Sequence, residues 1–99
     1  MEYIFQWDDN KARINLAKHK VSFEEGKTIF YDPFVLTFRN EFNSKNEDSM
    51  ISIGTSINER LLLVIHLERE ATPEGVVFIR IISCRKATPS ERKSYEESE

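Results

Sequence analysis

The sequence has few of the residues that build common compact active sites. It contains one cysteine, three glycines, three prolines and two histidines among 99 residues. The single cysteine, Cys84, allows no internal disulfide and fits a reducing compartment. Three glycines leave little room for a phosphate-binding loop, and two histidines with one cysteine are a poor ligand set for a metal ion. We therefore expect neither a disulfide framework nor a cofactor or metal site.

Long hydrophobic runs are also missing. No apolar stretch approaches the length that crosses a membrane, and the first residues lack the pattern of a signal peptide. With 39% hydrophobic and 31% charged residues, the composition is that of a soluble globular protein. The length suits one domain over residues 1–99. We expect a cytoplasmic protein.

The charge is slightly acidic but unevenly distributed. A net charge of −3 argues against a protein that binds nucleic acid over its whole surface. Residues 40–75 carry seven acidic and three basic residues, whereas residues 76–93 carry five basic and one acidic residue. A local basic patch can therefore exist on an acidic molecule.

The hydrophobic periodicity predicts an α+β fold. Two helix starts are marked by capping boxes, Ser22 with Glu25 and Thr88 with Glu91, in which the hydroxyl and the carboxylate each accept a backbone N–H. Because short turns join the later strands, we expect these to form a four-stranded antiparallel sheet. The predicted elements are a short strand at 3–7, helices ending near 19 and 30, strands at 34–38, 50–55, 60–67 and 76–85, and a helix at 89–97.

The strand at 76–85 is expected to organise the sheet. Its first half is apolar on both sides, the pattern of a central strand buried on two faces. Arg80 and Arg85 interrupt it, and a guanidinium there needs either a carboxylate partner or an anion-binding surface. An unbroken strand would direct the two to opposite faces, so either a bulge near Ser83 intervenes or they serve different roles.

The strand at 60–67 supplies further candidate residues. One face is entirely apolar, and Arg60, His66 and, if the strand extends, Glu68 share the other. Cleavage of RNA by its 2′-OH needs a proton acceptor and a cation that stabilises phosphate charge. His66 or Glu68 suits the first role, and Arg80 and Arg85 suit the second. Alternatively, His66 is a half-buried strand residue and Glu68 pairs with Arg80.

A basic segment ends the first predicted helix. Lys18, His19 and Lys20 follow one another there, and with Arg60 they are candidate RNA contacts. The alternative for His19 is a favourable interaction with the C-terminal end of the helix dipole.

Short motifs along nearly the whole chain resemble the BrnT toxins of bacterial type II toxin–antitoxin systems. In the N-terminal half these motifs are Phe5-Gln6-Trp7-Asp8, Lys18-His19, Val21-Ser22-Phe23-Glu24-Glu25 and Asp32-Pro33. In the C-terminal half they are Ile53-Gly54, Arg60, Leu63-Val64, Glu68-Arg69, Ile79-Arg80-Ile81-Ile82-Ser83-Cys84-Arg85-Lys86-Ala87-Thr88 and Glu91-Arg92. Each motif alone is weak, and their common order and spacing make the resemblance specific.

The resemblance implies a RelE-like fold, with two N-terminal helices packed on a mainly four-stranded antiparallel sheet, a short N-terminal strand and a C-terminal helix. It implies a ribonuclease that inhibits translation and is neutralised by a cognate BrnA-like ribbon–helix–helix antitoxin. Operator DNA would be contacted only through that antitoxin. Three sites depart from the usual family pattern: Lys20 and Glu59 replace glycines, and Asp48-Ser49 replaces Glu-Arg.

Two functions follow as hypotheses. The first is metal-independent endoribonucleolytic cleavage by a toxin. The second is a catalytically weak or inactive protein of the same fold that binds the antitoxin and acts as a co-repressor.

Overall fold

The computed structural model describes residues 2–41, 48–70 and 72–98. The strands are β1 (Glu2–Gln6), β2 (Leu36–Arg39), β3 (Ser49–Thr55), β4 (Leu61–Glu70) and β5 (Val76–Lys86). The helices are α1 (Asp9–His19), α2 (Phe23–Gly26) and α3 (Pro89–Glu97), with a 3₁₀ helix (Lys27–Tyr31) directly after α2. The segment between the strands predicted at 34–38 and 50–55 includes residues 42–47, which lie outside the described residues. Within the described ranges, no helix has the length and apolar character needed to cross a membrane.

The sheet has the strand order β1-β5-β4-β3-β2. The α+β class is confirmed, and β2 to β5 pair antiparallel. The first strand is not separate from this sheet, because it pairs parallel with β5 and places Phe5 opposite Ile79. The result is a mixed sheet of five strands. Periodicity identifies a strand but not a partner more than 70 positions away, so the sequence could not place β1.

The prediction that the strand at 76–85 is central and buried on both faces is wrong. The strand β5 lies between β1 and β4, and β4 occupies the centre. Ile79 and Ile81 are buried, whereas Val76, Val77 and Phe78 are only partly covered. The apolar start of β5 therefore extends towards a more open end of the sheet.

Each face of the sheet carries its own hydrophobic core. The face that we call the α1 face carries Leu62, Val64 and Ile81, and the segment from α1 to the 3₁₀ helix covers it. The opposite face, called the α3 face, carries Leu61 and Leu63. It is covered by Tyr95, the buried residue of α3. The Tyr95 hydroxyl donates to Asp32 at 2.6 Å and so fixes α3 to the chain before β2.

The two residues that stand where the resemblance predicts glycine both have a left-handed backbone conformation. Lys20 ends α1 with φ 60°, and Glu59 has φ 61° in the turn between β3 and β4. A side chain at positive φ costs about 1 kcal/mol relative to glycine. The chain therefore keeps the turn geometry that glycine favours and accepts mild strain at both sites.

The first capping box is only half formed. The Ser22 hydroxyl accepts the N–H of Glu25 at 3.0 Å, as predicted. The Glu25 side chain does not return to Ser22, because it accepts from the Ser56 hydroxyl at 2.7 Å and binds the Arg60 guanidinium in a fork. Glu25 is buried, and a buried carboxylate is more stable beside a cation than beside a single N–H. The second box, Thr88 with Glu91, is complete.

The pair formed by Glu25 and Arg60 stabilises the fold, and its loss should be measurable. Arg60 holds the pKa of Glu25 at about 2, below the usual 4.5. We expect Glu25→Gln to lower the free energy of unfolding at pH 7 by about 3 kcal/mol, since the guanidinium of Arg60 loses its partner. Urea denaturation measures this.

The pH dependence provides the control for that experiment. Because the pKa of Glu25 is lowered in the folded state, the pair contributes fully above about pH 4.5 and is lost as pH falls towards 2. The difference in stability between the two proteins should shrink over that interval. Equal stabilities at pH 7 would contradict a stabilising role for the pair.

Candidate functional site

A shift in the pairing of β4 with β5 determines where the two arginines of β5 point. Ile65 lies opposite Ser83, but His66 lies opposite Ile81, so Ile82 is an extra residue on β5. This bulge reverses the alternation of side chains along the strand. Arg80, opposite Leu67, and Arg85, opposite Leu63, therefore both project from the α3 face.

An open hollow of about 570 Å³ lies at the end of the sheet that contains Arg80. It takes residues from all five strands and from Asp48, just before β3. The lining residues are Gln6, Arg39, Asp48, Met50, Leu67, Glu68, Arg69, Phe78 and Arg80. Among the described residues that line it, three are arginines and two are acids, an excess of one positive charge on a molecule with net charge −3.

Arg80 is an exposed cation of this hollow. Within the described ranges it forms no salt bridge or hydrogen bond. The pKa of Asp8 is lowered mainly by a hydrogen bond from the Lys11 N–H. The positive charge of Arg80 lowers it further, to a smaller extent. A guanidinium with free donors at an open surface can bind a phosphate through two parallel hydrogen bonds.

The other two arginines of the hollow are Arg69 and Arg39. The guanidinium of Arg69 lies 5.7 Å from the centroid of the Phe78 ring, a cation–π distance. Arg39 ends β2, the edge strand, and is exposed. Phe78 is partly exposed and projects from the α3 face with Arg69 and Arg80, whereas Arg39 lies opposite Met50 and projects from the α1 face, so the lining comes from both faces of the sheet. Such a surface suits a ligand with phosphates and stacking bases.

Glu68 brings a carboxylate to the same hollow. Its side chain is 39% exposed, and one oxygen lies 4.0 Å from Nδ1 of His66. His66 is fully buried, and its Nε2 lies 2.8 Å from the Ser52 hydroxyl. Burial lowers the pKa of His66 to about 4, so the imidazole is neutral at pH 7. Glu68 can therefore contact a ligand, whereas His66 can act only through its neighbours.

Arg85 is held by a carboxylate of its own chain. Its two terminal nitrogens bind the two oxygens of Glu91 at 2.8 and 2.9 Å. This fork raises the pKa of Arg85 and lowers that of Glu91. The structure therefore places Arg85 in an ion pair that joins β5 to α3. The strand therefore contains the bulge that we considered near Ser83. In addition, the two arginines have different environments, because only Arg85 is held by a carboxylate.

The remaining candidates do not line the hollow. Arg60 forks onto Glu25, and its side chain is 33% exposed. At the end of α1, Lys18 and Lys20 are exposed, and the Lys20 ammonium donates to the Ala17 carbonyl at 2.9 Å. His19 is partly exposed. The expected single constellation therefore divides into a hollow with Arg80 and Glu68, two ion pairs and a separate basic helix end.

Sequence reasoning did not assign Arg39, Arg69 or Phe78 to the site. Arg69 and Phe78 lie opposite each other only because β4 continues to Glu70 and the bulge sets the register. The signal that could have found them is the alternation that places Arg69 on the same face as Leu67.

The guanidinium groups of the hollow can bind an anion, and Glu68 adds a carboxylate to its lining from the face of the sheet that carries His66. Among residues 2–41, 48–70 and 72–98, no group of three histidine, cysteine or acidic side chains is placed to hold a metal ion. The chemistry that these residues themselves support is proton transfer to Glu68 next to a phosphate bound by arginine.

Comparison with known proteins gives the family of the chain. The chain matches a solved structure described as the Brucella abortus ribonuclease toxin, BrnT, with a TM-score of 0.59 and 21% identity, over 89% of this chain and 99% of that one. This similarity concerns the fold. No curated protein matches the chain. A family model described as "Ribonuclease toxin, BrnT, of type II toxin-antitoxin system" matches residues 7–91. The chain therefore belongs to the BrnT family of ribonuclease toxins of type II toxin–antitoxin systems.

Proposed function

We propose that this protein is an endoribonuclease that cleaves RNA without a metal ion and thereby inhibits translation. The family supports ribonuclease activity in general terms. The observation that carries the specific proposal is the exposed Arg80, without a salt bridge among the described residues, in an open hollow that also contains Glu68.

The reaction follows from the chemistry of RNA and these two side chains. The Glu68 carboxylate takes the proton from a 2′-OH as that oxygen forms a bond to the adjacent phosphorus. Arg80 stabilises the added negative charge on the phosphate oxygens. The bond from phosphorus to the 5′ oxygen then breaks, and water protonates the leaving oxygen. The products are a 2′,3′-cyclic phosphate and a 5′-hydroxyl.

Other residues support this reaction in different ways. Arg39 and Arg69 hold flanking phosphates, and Phe78 stacks with a base. Lys18, His19 and Lys20 contact the RNA backbone outside the hollow. We assign Arg85 to the ion pair with Glu91 and Arg60 to the pair with Glu25, because both guanidinium forks are occupied.

The partners follow from the type of system. A type II toxin is paired with an antitoxin protein, and we propose a BrnA-like ribbon–helix–helix partner that neutralises this toxin in the cytoplasm. The net charge of −3 disfavours direct contact with DNA, so operator DNA is contacted only through the antitoxin.

The second candidate is an inactive protein of the same fold that binds the antitoxin and acts as a co-repressor. The occupied fork of Arg85 favours it, since one of the two arginines expected at the phosphate is committed elsewhere. Growth of cells that express the chain without an antitoxin separates the two functions: arrested growth with degraded RNA supports cleavage, and normal growth supports the inactive protein.

Removal of the Arg80 guanidinium should abolish most of the activity. We expect Arg80→Ala to reduce the rate of RNA cleavage by about 100-fold or more, because the charge on the phosphate loses its stabilising donor. Stability should change little, since Arg80 is exposed. The measurement is cleavage of a labelled RNA by purified protein.

The matched control is Arg92→Ala, which removes an exposed arginine of α3 away from the hollow. It should cleave at the rate of the unmodified protein. Equal losses in both variants would show that only the overall charge matters, and an unchanged rate in Arg80→Ala would remove the proposed site.

The carboxylate and the metal independence are tested together. In the presence of a chelator we expect the unmodified protein to cleave RNA and Glu68→Gln to be slower by about 10²- to 10⁴-fold, because the amide cannot accept the 2′-OH proton. Glu74→Gln, in the exposed turn between β4 and β5, is the control. Loss of cleavage in chelator by the unmodified protein would contradict the metal-independent mechanism.

A further inference from the structure

A row of polar side chains crosses the sheet and ends at the hollow. The hydroxyl oxygens of Thr37 and Ser52 lie 2.7 Å apart, and Ser52 lies 2.8 Å from Nε2 of His66. On the other side of the imidazole, Nδ1 is 4.0 Å from the Glu68 carboxylate. Thr37 and Glu68 are exposed at the two ends, and the two residues between them are fully buried.

The imidazole in this row is fixed in orientation. The ring of Phe30 meets it edge-to-face, with centroids 4.9 Å apart and planes at 89°. The contact with Ser52 fixes the opposite edge. Nδ1 is buried and has no hydrogen-bond partner among the described residues. The Glu68 carboxylate oxygen, 4.0 Å away, lies just beyond hydrogen-bond distance of this nitrogen.

The surroundings favour one tautomer of the neutral ring. A carboxylate repels the lone pair of an unprotonated Nδ1 and attracts an N–H there. With hydrogen on Nδ1, Nε2 accepts from Ser52, whose oxygen accepts from Thr37. Every hydroxyl in the row then has a consistent donor and acceptor role.

We propose that His66 is a positioning residue whose Nδ1–H holds the Glu68 carboxylate in the orientation that accepts the 2′-OH proton. The inference rests on the endoribonuclease function proposed above. His66 itself neither gains nor loses a proton during cleavage, since the proton moves from the 2′-OH to Glu68. The low pKa that burial gives the imidazole agrees with a ring that stays neutral.

Two substitutions of His66 separate positioning from packing. His66→Leu fills the buried space but removes the N–H, whereas the side-chain amide of His66→Asn places an N–H close to the position of Nδ1. We expect His66→Leu to lower kcat by about 10- to 100-fold, because a misplaced carboxylate loses rate without losing RNA binding. KM should stay unchanged, and His66→Asn should recover most of kcat.

Stability provides the control for packing. His66→Leu fills the buried space but leaves the Ser52 hydroxyl without its imidazole acceptor, so we expect a small loss of stability to urea with the fold retained. Cys84→Ala, at another fully buried position of the α1 face, should lower stability while preserving kcat. A normal kcat in His66→Leu, or equal losses in the leucine and asparagine variants, would overturn the positioning role.

A measurement without RNA distinguishes failure of this inference from failure of the proposed function. The ¹⁵N shifts of the imidazole should show hydrogen on Nδ1 at neutral pH, and Glu68→Gln should move the Nδ1 signal. If the protein does not cleave RNA yet shows both shifts, the contact stands and the endoribonuclease proposal fails. Hydrogen on Nε2, or an Nδ1 signal unaffected by Glu68→Gln, would overturn the contact itself.

Discussion

The register between β4 and β5 decides the distribution of charge on this molecule. One extra residue, Ile82, turns the arginines of β5 to the same face of the sheet. On that face α3 covers only the end near Leu61 and Leu63, so Arg85 meets a helix and Arg80 meets solvent. The open hollow at Arg80 and the ion pair at Arg85 are therefore two consequences of one backbone irregularity.

Three arginines that the sequence predicted as site residues have different environments. Arg60 and Arg85 each bind a glutamate in the first turn of a helix, Glu25 of α2 and Glu91 of α3. These pairs join helices to the sheet through charge-assisted hydrogen bonds. Arg80 has no salt bridge among the described residues. The same chemical group thus forms an ion pair at Arg60 and Arg85 and is exposed to solvent at Arg80, and the presence of a facing helix decides between the two environments.

The sequence predicts local features of this fold well and distant contacts poorly. The cap at Thr88 and the antiparallel pairing of β2 to β5 depend on neighbouring residues and were predicted correctly. The parallel contact of β1 depends on a strand more than 70 positions away. The second half of the first capping box failed because Glu25 meets Arg60, 35 positions along the chain. A short motif does not show whether a distant residue, here Arg60, will bind one of its side chains instead.

The candidate site shows the same limit. Alternation alone indicated that Arg80 and Arg85 needed either a bulge or separate roles, but not that both would occur. His66 and Glu68 were correctly recognised as neighbours, whereas the full burial of His66 depends on Phe30 and on the pairing with β3. Arg39 comes from the edge strand β2 and reaches the hollow only through the folded sheet.

The central claim is that the hollow at Arg80 binds the phosphates of RNA, whereas the paired arginines do not. The most direct measurement follows the arginine Nε–H signals by NMR while a 2′-deoxy-substituted RNA, which cannot be cleaved, is added. We expect Arg80, Arg69 and Arg39 to shift with saturation, and Arg85 and Arg60 to stay unchanged. Shifts confined to Arg85 and Arg60, with none at Arg80, would contradict the account.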